Sequence, residues 1–184
     1  MTTAARPDIN SGTFVLDPSH SDVGFAVRHF MVSKVKGRFS SFEGKVTIAD
    51  NPLESSVNVS VDMSSIDTHD QNRDGHLRSP DFFDSDTYPK MTFNSTKVAA
   101  DGDDYAVTGD LSIHGVTKPI ELAVEFNGVG PDAFGGTRIG FSAKGEISRK
   151  EFGIDIEMPL ESGGVVVGDK IKLEIEAEAV LETA

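Results

Sequence analysis

Asp70-Gln71-Asn72-Arg73-Asp74-Gly75 repeats the D-x-[DN]-x-[DN]-G oxygen spacing with which a loop wraps calcium, and Leu77 stands where such loops carry an apolar residue. The rest of the stretch works against an ion. Asp81 takes the twelfth position, where the longer arm of a glutamate is needed to offer both oxygens. Arg78 brings a positive charge close by, and Pro80 opens a new element where an exit helix should already be running. No second copy and no flanking pair of helices accompanies it. The segment reads as a polar turn held by caps or salt bridges.

Five histidines raise the same question for transition metals. His20 and His29 are an odd number of positions apart, so on one strand they face opposite ways. His69 and His76 fall in an irregular stretch, and His114 at a hairpin. No H-x-H, H-x-x-x-H or H-E-x-x-H spacing occurs, so no metal is expected. His20-Ser21-Asp22 resembles a triad on paper, but neighbouring strand residues alternate faces and cannot converge as a relay. There is no G-x-S-x-G elbow, and the carboxylates scatter over outward positions. No catalytic residue emerges.

The elements that would carry these residues are strands. Ile171, Leu173, Ile175, Ala177 and Ala179 alternate with Lys170, Lys172, Glu174, Glu176 and Glu178, whereas a helix would spread those charges around its circumference. The same period of two runs through Val23–Val27, Val57–Val61, Tyr105–Ile113, Ile120–Phe126 and Thr137–Ala143, with shorter candidates at Thr13–Leu16, Lys45–Ile48 and Met91–Phe93. Turn residues separate the runs: Asp101-Gly102-Asp103-Asp104, His114-Gly115 and Gly135-Gly136. About eight antiparallel strands with one apolar face must form a sandwich or close into a barrel. At ~3.3 Å per residue, Lys170–Val180 extends roughly 36 Å, a length that suits a tall barrel.

One segment breaks the pattern, around residues 65–88. Ser79-Pro80-Asp81 there reads as a helix start, a serine cap followed by proline, with Phe82 and Phe83 on one short turn covering the barrel.

Composition narrows the function. The 184 residues include no Cys, which excludes disulfides, thiolate metal sites and a cysteine nucleophile. A formal charge of −13 argues against nucleic acid as a partner and against docking on anionic membranes. No run approaches the ~18 apolar residues of a spanning helix. Residues 1–10 lack a signal-peptide core, so the expectation is one cytoplasmic domain over 1–184 with a flexible tail at 1–11. The twelve Phe, many on inward strand positions, fit two interiors equally: a packed core, or a hollow that holds an apolar ligand.

Four stretches in order resemble the YceI-like family of polyisoprenoid-binding, lipocalin-like proteins. They are Phe14–Phe25 with His29 and Gly37-Arg38-Phe39; Ile66-Asp67-Thr68 with Arg73-Asp74, His76–Asp84 and Tyr88-Pro89; Gly109–Pro119; and Gly140-Phe141 with Ser148–Gly153. The resemblance runs from about Thr13 to Leu181. It implies an all-β, extended lipocalin-like antiparallel barrel that binds a long isoprenoid, polyprenyl or quinone in type, or a similar apolar lipid. It further implies no enzymatic activity and no cofactor, and homodimerisation is an added expectation.

The inward lining expected for such a ligand is Phe25, Val27, Val59, Met91, Phe93, Tyr105, Val107, Leu111, Leu122, Val124 and Phe141, with Phe82 and Phe83 as cover. His29, together with His20, Arg73 and Arg149, is a candidate for a polar head group. Two alternatives stay open: an enzyme acting on such a lipid with His29 or His20 as base, and a filled barrel acting as an interaction module.

Overall fold

The computed structural model describes residues 11–29, 32–156 and 167–183. Apart from Ser11, the expected tail lies outside them. In chain order the strands are β1 (Gly12–Leu16), β2 (Asp22–His29), β3 (Ser33–Phe39), β4 (Phe42–Ile48), β5 (Ser56–Asp62), β6 (Ile66–Asp67), β7 (Lys90–Asp101), β8 (Asp104–Ile113), β9 (Val116–Pro131), β10 (Thr137–Ser148) and β11 (Val167–Leu181). A helix α1 (Gln71–Arg78) lies between β6 and β7.

Every pairing is antiparallel, and the order β1-β4-β5-β7-β8-β9-β10-β11 closes on itself where Phe14, Val15 and Leu16 pair with Leu181, Val180 and Ala179. This is an eight-stranded closed barrel with one short helix, and closure removes the unpaired edges an open sheet would expose. β2 continues β1 past a bend. Pro18 opens a single 3-10 turn over Pro18–His20, and the Asp17 carboxylate accepts the Ser19 N–H. Beyond the bend the ladder resumes on the same partner strand, with Val23, Phe25 and Val27 opposite Ile175, Leu173 and Ile171. β3 in turn flanks β2 and carries the two-residue β6.

Turn chemistry sets the hairpins. Between β8 and β9 only His114 and Gly115 intervene, both at positive φ (57° and 75°), the backbone that matches the twist of the flanking strands. Gly102, at φ 62°, does the same work between β7 and β8.

Three local readings need correction. Ser79-Pro80-Asp81 does not start a helix; Ser79 ends one, its N–H donating to His76 O. The helix lies earlier because Asp70 caps it, accepting from the Arg73 N–H, and Pro80 holds the residue before it in extended backbone (Ser79 ψ 166°). The residues with calcium-loop spacing are thus mostly helix, and the Asp74 carboxylate is occupied by the Thr68 N–H (2.9 Å) and hydroxyl (2.5 Å). Second, β3 is a strand the sequence reading did not single out, although Val35 and Phe39 alternate inward, on either side of Gly37, with Lys34, Lys36 and Arg38 outward. Third, two bulges reverse alternation inside strands. On β7 the register steps between Ser95 and Lys97, so Met91 and Phe93 face inward before it and Val98 after it. On β9 Phe126 lies opposite Phe141 but Val129 opposite Ile139.

The tightest packing falls in two places. At the barrel seam Phe14, Ala179 and Ile139 are fully or almost fully buried. Elsewhere Met63 and Phe152 are buried to the same degree, and Ile66, Phe82 and Ile154 nearly so.

Candidate functional site

The barrel is hollow. A cavity of about 310 Å³ runs inside it, at the lower end of the range for small-molecule sites. Its wall is almost entirely aliphatic and aromatic, drawn from every strand of the ring and from β2 and β3. Several inward side chains, among them Val98, Tyr105, Val124, Phe126 and Phe141, are only half-buried although they point into the barrel. In a filled core the same positions would be closed off at crystal-like density.

The structure brings Phe25, Val27, Val59, Met91, Phe93, Tyr105, Val107, Leu111, Leu122, Val124 and Phe141 to this one cavity, with Phe82 and Phe83 against it from the segment after α1. His29 ends β2, and its side chain lies outside the described residues. His20 is not at the cavity: it lies on the outer bend, its Nδ1 3.0 Å from Asp17 Oδ2. Arg73 is not there either, being spent on Thr68 through Nε to Oγ1 and Nη2 to the carbonyl. Arg149 does line the cavity.

Other lining residues escaped the sequence reading. Val98 is hidden by the β7 bulge, and Phe152 and Ile154 follow β10 in a 3-10 turn and just beyond it, without periodicity. Phe126, Ile171 and Leu173 carried the alternation signal and needed only the right choice of face.

The cover is built from short-range chemistry. The Phe83 N–H donates to Leu77 O, and Phe82 N–H to Ser79 O, which folds the chain back after α1. That fold turns Phe83 toward Phe39, with ring centroids 6.4 Å apart, and sets Phe82 edge-on to His76 at 4.9 Å. Tyr88 stacks on His114 at 4.8 Å, tying the segment to the barrel end that carries the β8–β9 turn.

Charge stays outside. At the bend Asp17 accepts from Ser19, Arg138 (2.8 Å) and His20, and these bonds hold its carboxyl well below the usual carboxylate range. Arg138 also reaches Glu178 at 3.3 Å, so one guanidinium joins the bend to β10 and β11. Burial pushes the Asp169 carboxyl up, but hydrogen bonds from Ser148 Oγ and the Lys150 N–H, with the charges of Lys170 and Arg149, leave it below its ordinary value. Among the described residues no group of three or more His, Cys, Asp or Glu is placed to hold a metal, and no helix is long and apolar enough to cross a membrane.

A closed antiparallel barrel around an apolar hollow, with a helical cover at one end, defines the lipocalin-like class of β-barrels. Within it the chain belongs to the YceI-like domain family, whose family model matches residues 14–179. It is 44% identical over 140 residues to protein YceI of Escherichia coli O17:K52:H18, covering 76% of this chain and 73% of that protein. The YceI protein of Campylobacter jejuni superposes with a TM-score of 0.72 at 35% identity, over 91% of this chain and 97% of the other. A polyisoprenoid binding domain from Saccharophagus degradans shares the fold, with a TM-score of 0.71 at 17% identity over 94% and 100% of the two chains.

Proposed function

We propose that this protein is a non-enzymatic carrier that binds, sequesters or transports one long-chain isoprenoid lipid, of polyprenyl or isoprenoid-quinone type, or a similar apolar chain. The observation that carries this reading is the cavity: an almost wholly apolar lining around about 310 Å³ of space, to which Phe82 and Phe83 contribute from the segment after α1. Each ligand methylene moved from water into such a site contributes about 0.8 kcal/mol, so chain length alone supplies affinity, less the cost of ordering the chain. Branching methyls ask for a wide lining without hydrogen-bond demands, which Phe, Val and Met provide. Support also comes from the polyisoprenoid binding domain of Saccharophagus degradans, which has the same barrel. Of the two histidines weighed as a catalytic base, His20 is tied to Asp17 outside the barrel and does not support turnover; the His29 side chain lies outside the described residues.

The test is native mass spectrometry of the purified protein, then denaturation and lipid extraction. A discrete excess mass that leaves as a prenyl chain is the expected result. A bare mass that stays bare after incubation with prenyl lipids would remove the carrier reading.

A further inference from the structure

The inner wall loosens toward one end of the barrel. On β8 Leu111 and Val107 are buried and Tyr105 is half-buried; on β7 Phe93 is buried and Val98 half-buried. On β9 Leu122 is buried, Val124 and Phe126 are half-buried, and Val129, opposite Ile139, is 40% exposed. Antiparallel pairing puts all the loosened positions at the end that carries the β7–β8 and β9–β10 turns and the β4–β5 connection. Pro52 and Ser55 of that connection border the cavity. The hollow comes closest to solvent here, whereas Ile113 and Ile147 near the other end are buried.

The β9–β10 hairpin projects from this end. Past its last pairing with β8, Val124 opposite Tyr105, β9 runs on from Glu125 to Pro131, roughly 20 Å at ~3.3 Å per residue. Its tip is braced: Asp132 Oδ1 accepts the N–H of Phe134 (2.8 Å) and of Gly136 (2.7 Å), and the Asp132 N–H donates to Gly136 O. The braced turn leaves the Phe134 side chain 93% exposed. Leu53, also exposed, stands on the β4–β5 connection at the same end, its N–H held by Asn51 Oδ1. Val32, exposed as well, lies at the opposite end between β2 and β3 and is no part of this surface.

A ring held out in water adds nothing to the core. One phenylalanine and one leucine offer far less than the ~1,000 Å² a stable protein interface needs. A lipid surface asks for less, since such side chains insert into the boundary between head groups and acyl chains. Exposed Asp50, Glu54, Asp101, Asp103 and Asp104 lie at the same end, so an anionic bilayer repels it and a neutral one fits.

Building on the carrier reading, we infer that this end of the barrel docks on neutral lipid bilayers, with Phe134 inserting and Leu53 as a second contact, and that the apolar ligand passes between bilayer and hollow there. Docking on so small a patch is transient. It sets the rate of exchange and leaves affinity alone, because neither side chain lines the cavity.

The chain contains no Trp, so Phe134→Trp puts a single indole at the tip of the intact protein. With phosphatidylcholine vesicles its emission is expected to shift to the blue and to be quenched by brominated acyl chains. Vesicles of equal parts phosphatidylcholine and phosphatidylglycerol should give a smaller shift at low salt. Emission that keeps its aqueous position with both overturns the inference and leaves the carrier reading standing, because no ligand enters the measurement. An equal or larger shift on the anionic vesicles overturns the choice of a neutral surface. Exchange supplies the second readout, as transfer of NBD-labelled geranylgeraniol from protein to phosphatidylcholine vesicles. The rate should rise in proportion to vesicle concentration, and Phe134→Asp should slow it about fivefold or more with Kd unchanged. Transfer at the wild-type rate in Phe134→Asp also overturns the inference. A wild type that never takes up the probe overturns the carrier reading and the exchange route with it.

Discussion

Two aromatic clusters on the inner wall differ in what faces them. Phe39 lies between Phe25, centroids 5.7 Å apart, and Phe83 at 6.4 Å, and it is 5% exposed. Phe126 and Phe141, on β9 and β10, face each other at 5.4 Å, yet both stay half-buried while pointing inward. In the sequence all are phenylalanines on inward positions of alternating strands. The difference arises across the interior: a third ring arrives from the segment after α1 in one place, and cavity remains in the other. An aromatic stripe is therefore core or ligand wall according to what a distant stretch of chain delivers opposite it.

That contrast is open to direct attack, most forcefully through stability. Phe152, 1% exposed, should lose about 3–5 kcal/mol as Phe152→Ala in urea unfolding, because a cavity opens in packed surroundings. Phe141→Ala should lose only about 1–2 kcal/mol, since part of its surface already borders space. Equal losses would mean the wall near Phe141 is as filled as the surroundings of Phe152.

Next in size is a steric effect. A Cβ on Gly37 would lie 2.8 Å from Phe25 Cε1 and 2.9 Å from Thr68 Cγ2, so Gly37→Ala should cost about 1–3 kcal/mol through overpacking. A Phe25→Leu background should recover much of that cost in a double-mutant cycle. Additive losses would show that the Phe25 ring does not rest on Gly37.

Filling the hollow should do less to stability and more to uptake. Val124→Phe adds volume toward the cavity, so its Tm should move by no more than the equivalent of about 1 kcal/mol, below the usual overpacking cost. Displacement of a fluorescent prenyl probe should show weakened binding. A large loss of stability with unchanged uptake would reverse the assignment of that wall.

The smallest effect belongs to the outer bend. The folded carboxyl of Asp17 is held below its unfolded value, so its contribution is complete above the unfolded pKa of about 4 and declines as pH falls through that value toward the folded one. Thermal melts of wild type and Asp17→Asn should differ by a constant amount between pH 5 and 8, a range set by the ordinary carboxylate value of roughly 4, and converge below it. A gap that widens on acidification would contradict the direction of the shift.

Much of the fold could be read from alternation, and the reading failed where side chains carry no facing signal. Lys34, Lys36 and Arg38 mark the outer face of β3, but on its inner face Gly37 interrupts the apolar pair Val35 and Phe39. The β7 bulge makes Val98 look outward to any strict period of two. Ser79-Pro80 has the composition of a helix start, and Asp70 with a better-placed cap took that role. Of the site, the lining of β8 and β9 followed from alternation, whereas Phe152, Ile154 and Arg149 sit in a 3-10 turn and its continuation, where periodicity says nothing.

The sequence by itself determined the class of structure. Period-two patterning, turn residues at the right offsets and charged outer faces are local properties, and local sterics and solvation suffice to make them strands with one dry side. It also excluded thiol chemistry and a basic binding face through composition alone. Only the tertiary structure decided that the dry side encloses a hollow, because volume depends on how facing walls and a remote helical segment meet. It alone buried Arg149 beside that hollow with its guanidinium on three main-chain carbonyls, since what a buried charge meets depends on what surrounds it and not on its neighbours in the chain.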